Sequence, residues 1–230
     1  MHKTIDPAIL YFGTPVVLVS TVNEDGTPNL APMSSAWWLR KSCMLGFDPT
    51  SKTPANLLRT GECVLNLPSA DLVDRVDRLA LLTGANPVPA HKQAWGYRGE
   101  ADKFGVAGLT PIPSQQVAAP RVAECAVQLE AILEAAHPFG TGGGSTARPI
   151  RAIEVRVVRV HVDEEILAED SENRIDPLKW RPLIMSFRQF FGLGDVLHSS
   201  RLAQFPEDGF RRRPPVPACG SSLLSQEHPE

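Results

Sequence analysis

"PVVLVSTVNEDGTPNLAPMSSAWW", residues 15–38, contains two apolar runs on either side of a turn. Residues 15–22 are rich in β-branched side chains, which fit a pleated and half-buried surface, and Asn23-Glu24-Asp25-Gly26-Thr27 interrupts them. Asp25-Gly26 is a hairpin signal, and a type I′ turn there needs positive φ at both central positions. The stretch from Pro28 to Trp38 is then the returning strand. Pro28 and Pro32 cannot donate to a ladder, so that strand is expected at a sheet edge or with a break in it. Ser34 and Ser35 fall at the break. A buried hydroxyl without a partner costs about 1–3 kcal/mol, so each serine calls for one, from nearby backbone or from a ligand.

Outward from this hairpin, residues 43–48 and 62–67 read as strands, with a short helix over 51–60 between them. Thr53 suits the N-cap, Pro54 the first helical position and Gly61 the C′ position. Residues 69–116 mix short amphipathic pieces with loops. Val127, Leu129, Ala131 and Leu133 alternate along a half-exposed strand. In residues 150–167 the apolar set passes from Ile153, Val155 and Val157 to Val158, Val160 and Val162, a change of phase that predicts a bulge near Val157. The glycine-rich residues 137–149 between them read as a flexible hairpin connection, because they lack the lysine and following helix of a P-loop. About six strands with few helices make a mainly β protein, an antiparallel barrel with peripheral helices. One domain is expected over 1–204, with a C-terminal helical extension, and residues 205–230 read as a disordered tail.

The chain is 43% hydrophobic and 21% charged, with a formal net charge of −3. Nothing in that balance points to nucleic acid, and Arg211-Arg212-Arg213 reads as a solvated end. No apolar run approaches the roughly 20 residues of a membrane helix, and the N-terminus lacks a signal-peptide core. A cytoplasmic location and no membrane contact are expected. Cys43, Cys63, Cys125 and Cys219 are scattered, and the core is the expected place for those in strand-like runs. No spacing among the six histidines suits a metal site. His161, at a strand end, could approach a flavin or nicotinamide but more simply serves as hydrogen-bonded structure; His91 and His137 are expected in loops.

Two features carry chemistry. Ser51, Lys52 and Thr53 open a helix, where unpaired N–H groups, hydroxyls and a positive charge suit a phosphate; a plain capped helix reads equally well. If Ser34 and Ser35 lie beside that helix start, both could serve one ligand, with Met33 and Trp37 flanking an attached ring.

Residues 13–38, "GTPVVLVSTVNEDGTPNLAPMSSAWW", followed by 45–69, "LGFDPTSKTPANLLRTGECVLNLPS", resemble the flavin reductase-like family. The resemblance runs from about Ile9 to Ile166 and implies an FMN-binding split β-barrel, in a homodimer. It implies flavin contacts at Pro32, Met33, Ser34, Ser35, Ala36 and Trp37, and phosphate contacts at Ser51, Lys52, Thr53 and Asn56. It implies an oxidoreductase that uses NADH or NADPH to reduce flavin or another small acceptor, with a monooxygenase as a potential partner. The alternative is a flavoredoxin-like electron carrier that keeps its FMN and has no direct NAD(P)H activity. A third is a barrel that has lost FMN and serves as a binding module. No catalytic side chain is assigned, since flavin carries its own chemistry. Residues 179–194 read either as a cover over the flavin, with Trp180, Arg181 and Phe187 as lid or dimer contacts, or as an amphipathic terminal helix.

Overall fold

The computed structural model describes residues 1–140 and 150–204. The chain divides into Met1–Gly194 and Asp195–Glu230. Described residues of the second unit hold one 3-10 turn, Arg201–Gln204; the expected tail, 205–230, and most of the glycine-rich connection, 141–149, lie outside the described residues.

In the first unit β1 spans Phe12–Pro15, β2 Val17–Val22, β3 Pro28–Met33, β4 Ala36–Leu39 and β5 Ser42–Phe47. Helix α1 (Lys52–Thr60) and β6 (Glu62–Leu67) follow, and then, beyond an irregular segment, β7 (Val127–Phe139) and β8 (Ile150–Val162). Seven of these strands form one sheet in the order β3-β2-β6-β7-β8-β5-β4, antiparallel throughout. Its two edges, β3 and β4, are consecutive in sequence with only Ser34 and Ser35 between them. Three peptide steps reach at most about 11 Å, so the sheet must curl until its edges meet. The serine pair is the seam of the resulting half-barrel.

Val17 and Val19 face a core inside the curl with Leu45, Leu65, Ile153 and Val155. Val16, Leu18 and Leu30 face a second core against Leu79, Phe104 and Leu183. β2 is covered on both faces, which is why its run is nearly all apolar. Pro28 and Pro32 lie in β3, an edge strand as expected. The bulge near Val157 is present: Glu130 pairs with Arg159 and Ala131 with Val157, which leaves Val158 without a partner.

The β2–β3 turn corrects the type I′ expectation. Gly26 alone has positive φ, +83°, while Gly26 N–H donates to Asn23 C=O and Asn23 N–H to Thr27 C=O. This is a three-residue loop whose left-handed glycine absorbs the extra residue. Helix α1 begins two residues earlier than Thr53 implies: Ser51 occupies the N-cap position without a side-chain cap bond, and Pro54 is tolerated because the first turn has no use for its N–H. Gly61 closes the helix at φ +74°, as expected.

The first five residues of β7 are not half exposed. Residues Val127–Ala131 are buried on both faces, because the segment before the strand folds across it. The Glu130 carboxylate accepts from the N–H groups of Gln115 (2.9 Å), Gln116 (2.5 Å) and Val117 (3.2 Å). His161 Nε2 is 2.6 Å away, so His161 is hydrogen-bonded structure. His137 lies in β7, and His91 in the short helix α2, Ala90–Gln93, rather than in loops.

Residues 179–194 form neither an amphipathic terminal helix nor a helical extension. They hold a hairpin, β9 (Ile184–Ser186) and β10 (Gln189–Phe191), which joins β1 in a three-stranded sheet. Pro182 lacks the N–H a continuing helix needs, and β1 offers an open ladder edge. Cys43, Cys63 and Cys125 are buried free thiols; burial pushes Cys43 up to about 12 and raises the other two as well, so all three behave as core. Among the described residues no helix is long and apolar enough to cross a membrane.

Candidate functional site

A cleft of about 140 Å³ opens where β3 passes the start of α1. Ala31 and Pro32 form one wall, Ser51, Lys52 and Thr53 a second, and residues Leu79–Gly84 with Lys92, Tyr97 and Lys103 the third. Thr53 is held by the Asn29 amide, which donates to its hydroxyl at 3.1 Å. Gly84 is required by close approach, since a Cβ there would meet Asn29 Oδ1 at 2.7 Å and Lys52 Cβ at 3.3 Å. Asn29 is 1% exposed, and its Oδ1 has no hydrogen-bond partner among the described residues.

The charge in this cleft comes from a quarter that sequence reasoning missed. Lys92 and Lys103 are 8% and 3% exposed. Lys92 Nζ donates to Ser51 Oγ at 2.6 Å, sits 5.8 Å from the centre of the Tyr97 ring and has Asp48 3.9 Å away. Lys103, at the start of α3 (Lys103–Ala107), has no hydrogen-bond or ion-pair partner among the described residues. Burial pushes its ammonium down to about 8, with Lys92 adding to the shift and Glu100 opposing it. Burial lowers Lys92 also, against the pull of Asp48. The stem of Lys52 lines the cleft, but its Nζ lies 2.5 Å from Glu24 Oε2 on the hairpin turn.

Of the sequence-derived candidates, Pro32, Ser51, Lys52 and Thr53 come together here. Asn56 does not: it is fully buried and donates to Thr21 Oγ1 (3.1 Å) and Asn23 Oδ1 (2.9 Å), tying α1 to β2. Met33 packs against the inner core. Ser34, Ser35, Ala36 and Trp37 occupy the seam, two to five residues beyond Pro32, so the serines lie about 7–10 Å along the strand from it. Ser35 C=O accepts from Gly46 N–H at 2.8 Å, and a Cβ at position 46 would touch Ser35 Cβ at 3.0 Å. The Ser35 hydroxyl pairs with Tyr11 Oη at 2.7 Å, whereas the Ser34 hydroxyl has no partner among the described residues. Trp37 is exposed and Trp38 is packed on the core.

A buried lysine with no hydrogen-bond or ion-pair partner among the described residues, a second lysine, two threonine hydroxyls and a helix start together suit a small dianionic group such as a phosphomonoester. The seam beyond offers backbone and hydroxyl groups to whatever that phosphate carries.

A curled seven-stranded sheet with this arrangement defines the split-barrel class of flavin reductase folds. The "Flavin reductase like domain" model matches residues 9–194, and the chain belongs to the flavin reductase-like family. It is 40% identical over 192 residues to YdfE of Bacillus subtilis, an uncharacterized protein, across 84% of this chain and 89% of that one. Flavoredoxin of Desulfovibrio vulgaris (Miyazaki F) superposes with TM-score 0.70 at 24% identity, over 88% of this chain and 99% of its own. Nitrilotriacetate monooxygenase component B from Bacillus cereus does so with TM-score 0.67 at 22% identity, over 86% and 99%. At such identities the two structures establish the fold.

Proposed function

We propose that this protein binds FMN and is an oxidoreductase that takes electrons from NADH or NADPH for flavin or another small acceptor. The single observation that carries this reading is Lys103: its side chain is almost wholly buried, its ammonium has no hydrogen bond or ion pair among the described residues, and it faces a cleft that also receives Lys92, Ser51 and Thr53. A buried charge left unpaired is costly, and a phosphate on the ligand would neutralise it. Lys92 and Lys103 would hold the phosphate with Ser51, Thr53 and the first turn of α1. Ala31 and Pro32 would run beside the ribityl chain, and the serine seam beside the ring. Bound FMN supplies hydride and single-electron transfer. The chain's own part is to orient the ring, leave one face open and exclude water from the phosphate.

Two copies in a homodimer form part of this reading, supported by Trp37 and Leu39, 58% and 68% exposed on the edge strand β4. A monooxygenase as electron-consuming partner is supported by the name of the Bacillus cereus structure. A cytoplasmic location accords with the free thiols of Cys43, Cys63 and Cys125. The second reading, a carrier that holds FMN permanently, is supported by the fold shared with flavoredoxin.

The test is the visible spectrum of the purified protein with and without added FMN, followed by anaerobic addition of NADH and of NADPH. Bleaching of the bound flavin by either nucleotide supports the reductase. A yellow protein inert to both supports the carrier, and no uptake of FMN overturns both.

A further inference from the structure

Tyr11 enters the site from outside the segments that carry the sequence signal. Its hydroxyl lies 2.7 Å from Ser35 Oγ, and its backbone is fixed from the far side of the small sheet. Phe187 N–H donates to Tyr11 C=O at 2.9 Å, and the Ser186 hydroxyl reaches the same oxygen at 3.4 Å. The neighbouring Phe12 ring meets Phe187 edge-on, with centroids 5.0 Å apart. Both turn residues of that hairpin, Phe187 and Arg188, take left-handed backbone at φ +44° and +68°. Positive φ at both positions is what a two-residue type I′ turn needs, and it fixes the hairpin that meets Tyr11.

The β1 ladder also breaks beside Tyr11. Its register shifts between Phe12 and Thr14, and Gly13 between them has φ +98°. A Cβ at position 13 would find its nearest neighbour at 3.9 Å, so the glycine answers a conformational need and not a spatial one. Irregularities of this kind re-aim a side chain. Here the re-aimed side chain is Tyr11, and its target is the hydroxyl at the seam.

A phenol, with a pKa near 10, is a stronger acid than an aliphatic hydroxyl and so the better donor of the pair. With Tyr11 donating to Ser35 Oγ, the serine proton is left to point elsewhere. We propose that Tyr11 is a positioning residue that makes Ser35 a hydrogen-bond donor to the acceptor edge of a bound planar ring, one bearing carbonyl and imine-type nitrogen. The inference rests on the flavin reading above. It assigns the seam a directional polarity: Ser35 donates to the ring and does not accept from it.

The experiment compares the full chain with Y11F, S35A and the double variant, using FMN titration, the visible spectrum of the bound flavin and its reduction potential. Y11F and S35A should each raise the FMN Kd by about two- to tenfold, the worth of one hydrogen bond. Both should move the long-wavelength band and the potential in the same direction, and the double variant should add nothing to S35A. G13A, which strains the re-aimed backbone, should reproduce the Y11F spectrum. A purely structural Tyr11 would lower the melting temperature and leave band and potential unmoved. Bound FMN with the unmodified band, potential and Kd in Y11F, or effects of Y11F and S35A that simply sum, overturns the proposal while leaving the flavin reading in place. Absence of FMN binding by the unmodified chain overturns both.

Discussion

Lys52 Nζ and Glu24 Oε2 stand 2.5 Å apart, tying the first residue of α1 to the β2–β3 turn. The hydrogen bond from Lys52 holds the Glu24 carboxyl below its ordinary range, and Arg59 lies 3.9 Å from the other oxygen. Lys52 thus presents its stem to the cleft and its charge to the turn. E24Q should free that charge and tighten FMN binding by a few-fold at most, because exposed pairs are worth little and salt screens them. Titration at low and high salt checks this. Weaker binding by E24Q would mean that the pair holds Lys52 in its working place.

K103M should weaken FMN binding by about 1.5–3 kcal/mol, the worth of a hydrogen bond to a charged group, or roughly ten- to a hundredfold in Kd. The flavin-free variant should also melt at a higher temperature than the unmodified protein, since an ammonium that burial penalises is replaced by an apolar chain of similar length. Calorimetry and a fluorescence titration on the same sample separate the two effects.

The affinity for FMN should depend on pH through the same side chain. Lys103 in the flavin-free cleft titrates at about 8, and a bound phosphate dianion favours the charged form and raises that value. Binding therefore takes up a proton where the free lysine is neutral, so affinity falls as pH rises from 7 through about 8 and beyond. A series of titrations should show this decline in the unmodified chain and a shallower one in K103M, where Lys92 alone, also lowered by burial, remains.

E130Q tests the clamp under β7. An amide cannot accept three backbone N–H bonds and pair with His161, so the variant should lose about 3–5 kcal/mol of stability, as for a broken buried pair. Burial opposes ionisation of Glu130, but its bonds to Gln115, His161 and Gln116 hold the carboxyl below the ordinary range. Its contribution is therefore present above the unfolded pKa, near 4.3, and is lost as pH falls through the lower folded value. Denaturant melts between pH 6 and 3 should show that slope in the unmodified protein and a shallower one in E130Q.

What could be read from sequence was what local chemistry decides. Pro28 and Pro32 marked an edge strand, Gly61 a helix end, and the phase change at Val157 a bulge. Lys92 and Lys103 gave no such signal, because their burial is set by how three short, irregular pieces from residues 69–116 pack over β3. A lysine beside Trp95 or Phe104 looks the same whether it is solvated or enclosed. Gln128 and Glu130 misled for the complementary reason: alternation identifies the polar face of a strand but not a loop that later covers it. Asn56 matched a family pattern by position, yet its amide is committed to Thr21 and Asn23. The Ser35 partner was out of reach because Tyr11 is brought to it by the pairing of β1 with β9, 170 residues downstream in the chain.

Two residues join the opposite rims of the main sheet, and this couples assembly to chemistry. Adding or deleting one residue between Met33 and Ala36 would reverse which side of β4 faces inward, turning Trp37 toward the interior and Trp38 out to water. Gly46, pressed against Ser35 from the adjoining strand, leaves no slack to absorb the change. The length of this hinge is thus a condition of closure, and a change of one residue in it would cost the chain its barrel before it touched the cleft.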